Sequence, residues 1–359
     1  MSSVLSDRIP SLDGLRTVSI LLVIASHAAR NFGPTAAYNI GDLGVRVFFV
    51  ISGFLITGLL IVESEKSGRI DLLKFYFRRT LRIFPPYYFL LFVLALLAIS
   101  GRVHISFSQF LPVISYASDY VYPGAWDIDH AWSLAVEEQF YLLFPGIMVL
   151  ARTRRTMVRT LASILVLCPI FRFVDHIFFA DAQPIWLTKG FHANADTLAV
   201  GCLLAFLRPG LHANRFYTAA IRSPLMFLLP VVVFLVNSQI DYTGLHLGVL
   251  FSLNNVLMAL MVDWAVTNAT GVVGKVLNSR VAIVLGMMSY SIYLWQQPFL
   301  EPSPPSRYFA FPYNMIGFAA AVCVSYFLVE RYSLRIRKTL EDRLFRRRTH
   351  QLVPEPADA

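Results

Sequence analysis

With 359 residues, 56% of them hydrophobic and only 15% charged, and a mean hydropathy of +0.59, the chain is too apolar for a soluble globular domain, where about a quarter of residues are charged. The formal net charge of +9 would suit nucleic acid, but the basic residues lie in short clusters between apolar runs, a membrane-topology pattern that excludes a nucleic-acid partner. Cys168, Cys202 and Cys323 all sit in apolar stretches with no Cys-x-x-Cys or Cys/His cluster, so neither a disulfide framework nor a metal site is expected.

Apolar runs of the roughly 20 residues a transmembrane helix needs fall near 14–31, 43–62, 83–100, 132–150, 158–178, 193–208, 224–240, 245–267, 281–300 and 311–330. The expected fold is therefore all-α and polytopic, with about ten transmembrane helices in one domain over 1–350 and a frayed tail over 351–359. Basic clusters follow the second, fourth, sixth, eighth and tenth runs, from Lys66 to Arg82, Arg152 to Arg159, Arg208 to Arg222, Lys275 to Arg280 and Arg331 to Arg348. The intervening loops carry Asp119, Asp127, Asp129, Asp181 and Asp241 instead. By the positive-inside rule both termini and every basic loop are cytoplasmic.

The first run places Arg16 and His27 eleven residues apart, almost three helical turns, on one face and about 16 Å apart along the axis. An ionisable residue inside a membrane span is a functional-site hypothesis by default. In the second run Ser52 and Gly53 permit close helix approach, and Arg46 is expected to snorkel to water. Phe77 to Tyr88 then carries Arg78, Arg79 and Arg82, with Arg79 and Arg82 on one helix face. Such arginine forks fit phosphate oxygens, and they equally fit a headgroup anchor.

Topology sorts the remaining polar residues into two layers. Near the outer surface fall His27, Glu137 and Glu138, His192 and Asp196, and Gln296 and Gln297; near the inner surface fall Asp13, Arg16, Arg78, Arg79 and Arg82. One of the two carboxylates is expected to pair with His27, fixing its tautomer and making it a better base. Asp263 and Trp264 acquire no role, and Asp175 and His176 read as loop residues.

These motifs together resemble the integral-membrane acyltransferase-3 family, whose members O-acylate cell-envelope glycans and some small metabolites. The resemblance is carried by Leu12 to Arg16 with His27, Gly44 to Phe54, Arg79-x-x-Arg82, Trp132 to Tyr141, Asp196 with Gly201, and Ser289 to Trp295. It implies transfer of an acyl group, usually acetyl from cytoplasmic acetyl-coenzyme A, to a hydroxyl of a glycan or related acceptor, in a bacterial inner membrane among its lipids. It also implies a catalytic centre of His27 with Glu137 and Glu138, a coenzyme site of Arg16, Arg78, Arg79 and Arg82, and an acceptor side with His192, Asp196, Trp295 and Gln296. Many relatives have a histidine where this chain has Gln296, and the stand-alone form without a soluble esterase-like domain is expected. The competing reading is a polytopic transporter or flippase of envelope precursors, since buried His, Glu and Arg also build proton relays.

Overall fold

In the computed structural model, residues 9–29, 38–179, 181–182, 184–240, 246–300 and 310–350 are described, so the expectations for Asp241 and the 351–359 tail lie outside them. Helices form at all ten apolar runs. In chain order they are α1 (Pro10–Ala29), α2 (Tyr38–Ser67), α3 (Leu72–Ile99), the short α4 (Phe107–Ile114), α5 (Ala131–Ala151), α6 (Arg154–Phe179), α7 (Phe191–Ala213), α8 (Arg215–Arg222), α9 (Leu229–Ser238), α10 (Phe251–Thr267), the short α11 (Val272–Leu277), α12 (Arg280–Phe299), α13 (Tyr313–Val324) and α14 (Arg331–His350). One-turn π segments lead into α10 (His246–Leu250) and join α13 to α14 (Ser325–Glu330).

Among the described residues eight helices are long and apolar enough to cross a membrane, or nine if α8 and α9, bent by 55° across their break, form one span. The expected all-α polytopic fold is thus found, with eight or nine such helices among the described residues against the expected figure of about ten. α12 is the helix that falls short, because it carries Ser289, Ser291, Gln296 and Gln297, all buried against other helices. A helix can be polar inside a membrane protein if its polar face is turned to protein.

The centre of the bundle is a row in which α12 packs on α1, α1 on α2, α2 on α7 and α7 on α6. Two glycines set the α2–α7 spacing: a Cβ on Gly53 would lie 2.1 Å from the Leu198 carbonyl oxygen, and one on Gly201 would lie 2.1 Å from that of Val50. Small residues at a crossing let helix backbones approach, and close packing replaces the hydrophobic drive that lipid removes. α1 and α12 run parallel, for Ser11 meets Asn278, Thr17 meets the Ala282 carbonyl and His27 meets Gln296. The rim is apolar: Val166, Ile170, Phe173 and Ile177 of α6 are all exposed, as lipid-facing side chains should be.

Candidate active site

Five helices turn side chains toward one open cavity of about 810 Å³. α3 contributes Arg79 and Arg82, three residues apart, and α1 contributes Arg16. α5 contributes Ser133, Glu137 and Tyr141 at the i, i+4, i+8 spacing that aligns side chains on one helix face. α12 contributes Gly286, Ser289, Tyr290 and Tyr293 at the same periodicity. Glu138 of α5 and Ser52 of α2 complete the polar wall.

Inside it, Ser52 Oγ donates to Glu137 Oε1 at 2.5 Å and Tyr141 OH donates to Ser52 Oγ at 3.3 Å. The Arg79 guanidinium lies 5.0 Å from the Tyr141 ring centroid and 5.7 Å from that of Phe75, and Arg16 faces Asp13 at 3.9 Å. The lining thus carries three guanidiniums and two carboxyls, with the Asp13 carboxylate beside Arg16.

The expected two-layer division does not hold for Glu137. It lies seven residues, about 10 Å, along the helical path from His130, and so reaches the arginine cavity. His27 instead meets Gln296, whose Oε1 is 2.5 Å from His27 Nδ1. Trp126 stands edge-on to the His27 ring at 5.4 Å, and its Nε1–H donates to the Gln297 carbonyl at 2.8 Å.

Arg78, one residue before Arg79, is rotated about 100° around α3 and leaves the cavity. Its guanidinium donates to both carboxylate oxygens of Glu341 on α14, which Lys74 also approaches at 3.6 Å. Asp196 likewise departs from its expected acceptor role. It is 0% exposed and receives two parallel bonds, at 2.9 and 2.8 Å, from Arg172, which is 1% exposed. Arg172 is an unusual residue inside an apolar run and was the signal for this pair.

Trp295 packs between Phe89 and Phe299. His192 sits at the start of α7, where its Nε2–H donates to Asp175 at 3.0 Å and Tyr120 OH donates to its Nδ1 at 3.2 Å. Asp175 is therefore a helix residue with a partner. Asp119, in the same cluster, accepts from Gln139 Nε2 and the Phe191 N–H, yet burial still pushes its carboxyl up to about 6. Arg46, expected to snorkel, is buried instead, bonded to Asn237 with its guanidinium 4.3 Å over the Phe251 ring. Asp263 gains a structural role, accepting from Arg208 and Tyr217 and pairing with His212.

Sequence reasoning missed Ser133, Tyr293 and His130. Tyr293 OH donates to the His130 carbonyl at 3.0 Å and lies 2.5 Å from Ser133 Oγ, while the His130 N–H donates to Gln297 Oε1 at 2.9 Å. His130 and Glu137 are seven apart, a same-face spacing that was visible in the sequence. These groups join the arginine cavity to the His27 end of the bundle.

The acyltransferase domain family model matches residues 9–330. O-acetyltransferase OatA of Staphylococcus aureus strain NCTC 8325 is 29% identical over 318 residues, covering 81% of this chain and 50% of the relative, and OatA of strain COL gives the same figures. A further protein of strain COL, provisionally named an O-acetyltransferase, is 30% identical over 315 residues, covering 80% of this chain and 50% of its own length. The chain thus spans about half the length of the curated relatives it matches. No solved structure matches.

Proposed function

Because this chain belongs to the acyltransferase-3 family, we propose that it is a membrane O-acetyltransferase. It takes the acetyl group of acetyl-coenzyme A at the arginine end of the bundle and delivers it to a hydroxyl of a cell-envelope glycan at the His27 end. In this reading the arginine end faces the cytoplasm, an orientation that the basic clusters support.

The observation that carries the reading is the Gln296 contact on His27. An amide oxygen only accepts, so Nδ1 bears the hydrogen and donates it, which makes Nε2 the nitrogen with the basic lone pair. Nε2 takes the proton of the acceptor hydroxyl as its oxygen attacks the thioester carbonyl. The carbon–sulfur bond breaks, the coenzyme leaves as a thiolate, and that thiolate takes up the proton held by the imidazolium. Gln296 thus does for His27 what a carboxylate was expected to do, without a charge.

Arg16, Arg79 and Arg82 would hold the coenzyme's phosphates, since guanidinium forks match phosphate oxygens and stay charged throughout. Arg78 stands outside that set in this reading, its guanidinium being bonded to Glu341. Glu137, anchored by Ser52, balances the arginines when the donor is absent. The roughly 16 Å of α1 between Arg16 and His27 suits an extended pantetheine arm.

The test is acetyl transfer by the purified full chain, read as free thiol released from acetyl-coenzyme A and as acetyl ester gained by isolated envelope glycan. His27→Ala should lower transfer by about 10²–10⁴-fold with insertion and thermal stability retained. Near-normal transfer by that variant sinks the mechanism.

A further inference from the structure

The 810 Å³ cavity has two unlike ends. A Cβ on Gly286 would lie 2.0 Å from the Asp13 carbonyl oxygen, so Gly286 marks the arginine end. Tyr293 stands seven residues, about 10 Å, further along α12, and Ser133 stands eight residues, about 12 Å, from Tyr141 along α5. At that far end the lining is Val45, Phe48, Phe49 and Leu134, beside Ser133 and Tyr293. The two hydroxyls lie 2.5 Å apart, and Tyr293 OH donates to the His130 carbonyl, so they find their partners within the protein. What remains for a ligand there is an apolar surface.

One wall of this end is a single pair of rings. Phe49, 1% exposed, meets Trp132 edge-on, with centroids 6.2 Å apart and planes at 90°. Trp132 in turn lines a second cavity, of about 560 Å³. Lys189 Nζ stands 5.5 Å from the Trp132 ring centroid and 3.4 Å from the Asp129 carboxylate. With Asp42 and Arg46 it makes the second cavity charged where the far end of the first is apolar. Phe49 is thus braced by a ring that is itself held, and a close-packed interior gives it no room to swing aside.

We propose that Phe49, backed by Trp132, is the stop that sets the length of the acyl chain, admitting acetyl and turning away butyryl and longer chains. The inference rests on the transfer reading above and names the donor selectivity of that cavity. With the coenzyme's phosphates at the arginines, the acyl group is the part of the donor that reaches the far end. Each added methylene must then find room against the Phe49 ring. Shortening that side chain opens space for a few carbons. A chain longer still meets Trp132 and the charged cavity behind it, where apolar carbon would have to displace water from buried charge.

The test uses the full chain in lipid nanodiscs with acetyl-, butyryl- and octanoyl-coenzyme A as donors and isolated envelope glycan as acceptor. Thiol release and ester formation give kcat/KM for each donor. The wild type should favour acetyl over butyryl by about tenfold or more, since one misfitting methylene is worth about 10–200-fold. Phe49→Ala should raise the butyryl-to-acetyl ratio by about tenfold or more. Phe49→Leu, closer to the native volume and gentler on the fold, should move the ratio the same way by less, and octanoyl should stay poor in both. A ratio taken within one variant is unmoved by a general loss of fold, which lowers every donor alike. The proposal is overturned if the wild type takes butyryl as readily as acetyl, if the Phe49 variants keep the wild-type ratio, or if the gain extends undiminished to octanoyl. Those outcomes leave acetyl transfer standing and refute the stop alone, whereas a wild type that releases thiol from none of the donors refutes the transfer reading and the stop with it.

Discussion

Asp196→Asn separates a structural ion pair from an acceptor site. The substitution keeps shape and removes the charge opposite Arg172. That guanidinium is 1% exposed, and its remaining partners are the Leu247 carbonyl at 3.0 Å, the Ala193 carbonyl at 2.5 Å, the Gly248 carbonyl at 3.4 Å and Ser252 Oγ. The two bonds to Asp196, at 2.9 and 2.8 Å, lose their ionic character, and the Ser252 hydroxyl loses its bond to the same carboxylate at 2.7 Å. Breaking a buried pair from one side costs about 3–5 kcal/mol, because the surviving charge is stranded away from water. At about 2–4 °C per kcal/mol for chains of a few hundred residues, the melting temperature in detergent should fall by roughly 6–20 °C. The double replacement Arg172→Met with Asp196→Leu, which removes both charges, should recover much of that loss. Measuring Tm for the three variants beside acceptor KM decides the matter. An Asp196→Asn protein with unchanged Tm and a raised acceptor KM refutes the structural assignment.

Adjacent arginines on α3 provide a contrast: Arg79→Ala should raise the apparent KM for acetyl-coenzyme A about tenfold or more, the loss of one charge-assisted contact of about 1.5–3 kcal/mol, whereas Arg78→Ala should leave it near wild type, since Arg78 faces Glu341; steady-state kinetics on both variants gives the answer. Gly53→Leu should abolish recovery of monodisperse protein on size exclusion, because even its Cβ would lie 2.1 Å from the Leu198 carbonyl oxygen and the α2–α7 crossing cannot open without losing its packing. Asp119 should make stability depend on acidity. Its carboxyl is raised to about 6 in the folded chain against about 3.9 unfolded, so its full contribution is present below pH 4 and declines as pH rises through 6, by about 3 kcal/mol at 1.36 kcal/mol per unit. Asp119→Asn should flatten the Tm–pH curve over that window, and an unchanged curve rules the assignment out.

Glu137 illustrates why the site was only partly legible. Its presence in a polar cluster followed from two carboxylates opening an apolar helix, but its partner did not. The i, i+4, i+8 stripe of Ser133, Glu137 and Tyr141 is a property of α5 alone, whereas the Ser52 hydroxyl that meets it comes from α2. The same holds for Arg78, whose partner Glu341 lies 263 residues away, and for Arg46, which found Asn237 rather than water.

What the sequence by itself determined is whatever depends on one helix at a time. Apolar length placed helices at all ten runs, 3.6-residue periodicity put Arg16 and His27 on one face of α1 and Arg79 and Arg82 on one face of α3, and Ser52 and Gly53 marked α2 as open to close helix approach. What only the tertiary structure decided is which helix stands opposite each polar face. In hydrocarbon nearly every polar side chain must find a partner within the protein, and several pairings satisfy that demand equally well on paper. Packing selected among them. The α1–α12 contact gave His27 an amide instead of a carboxylate, α6 supplied Arg172 to Asp196, and the rotation of α3 sent two of its three arginines into the cavity and the third to Glu341.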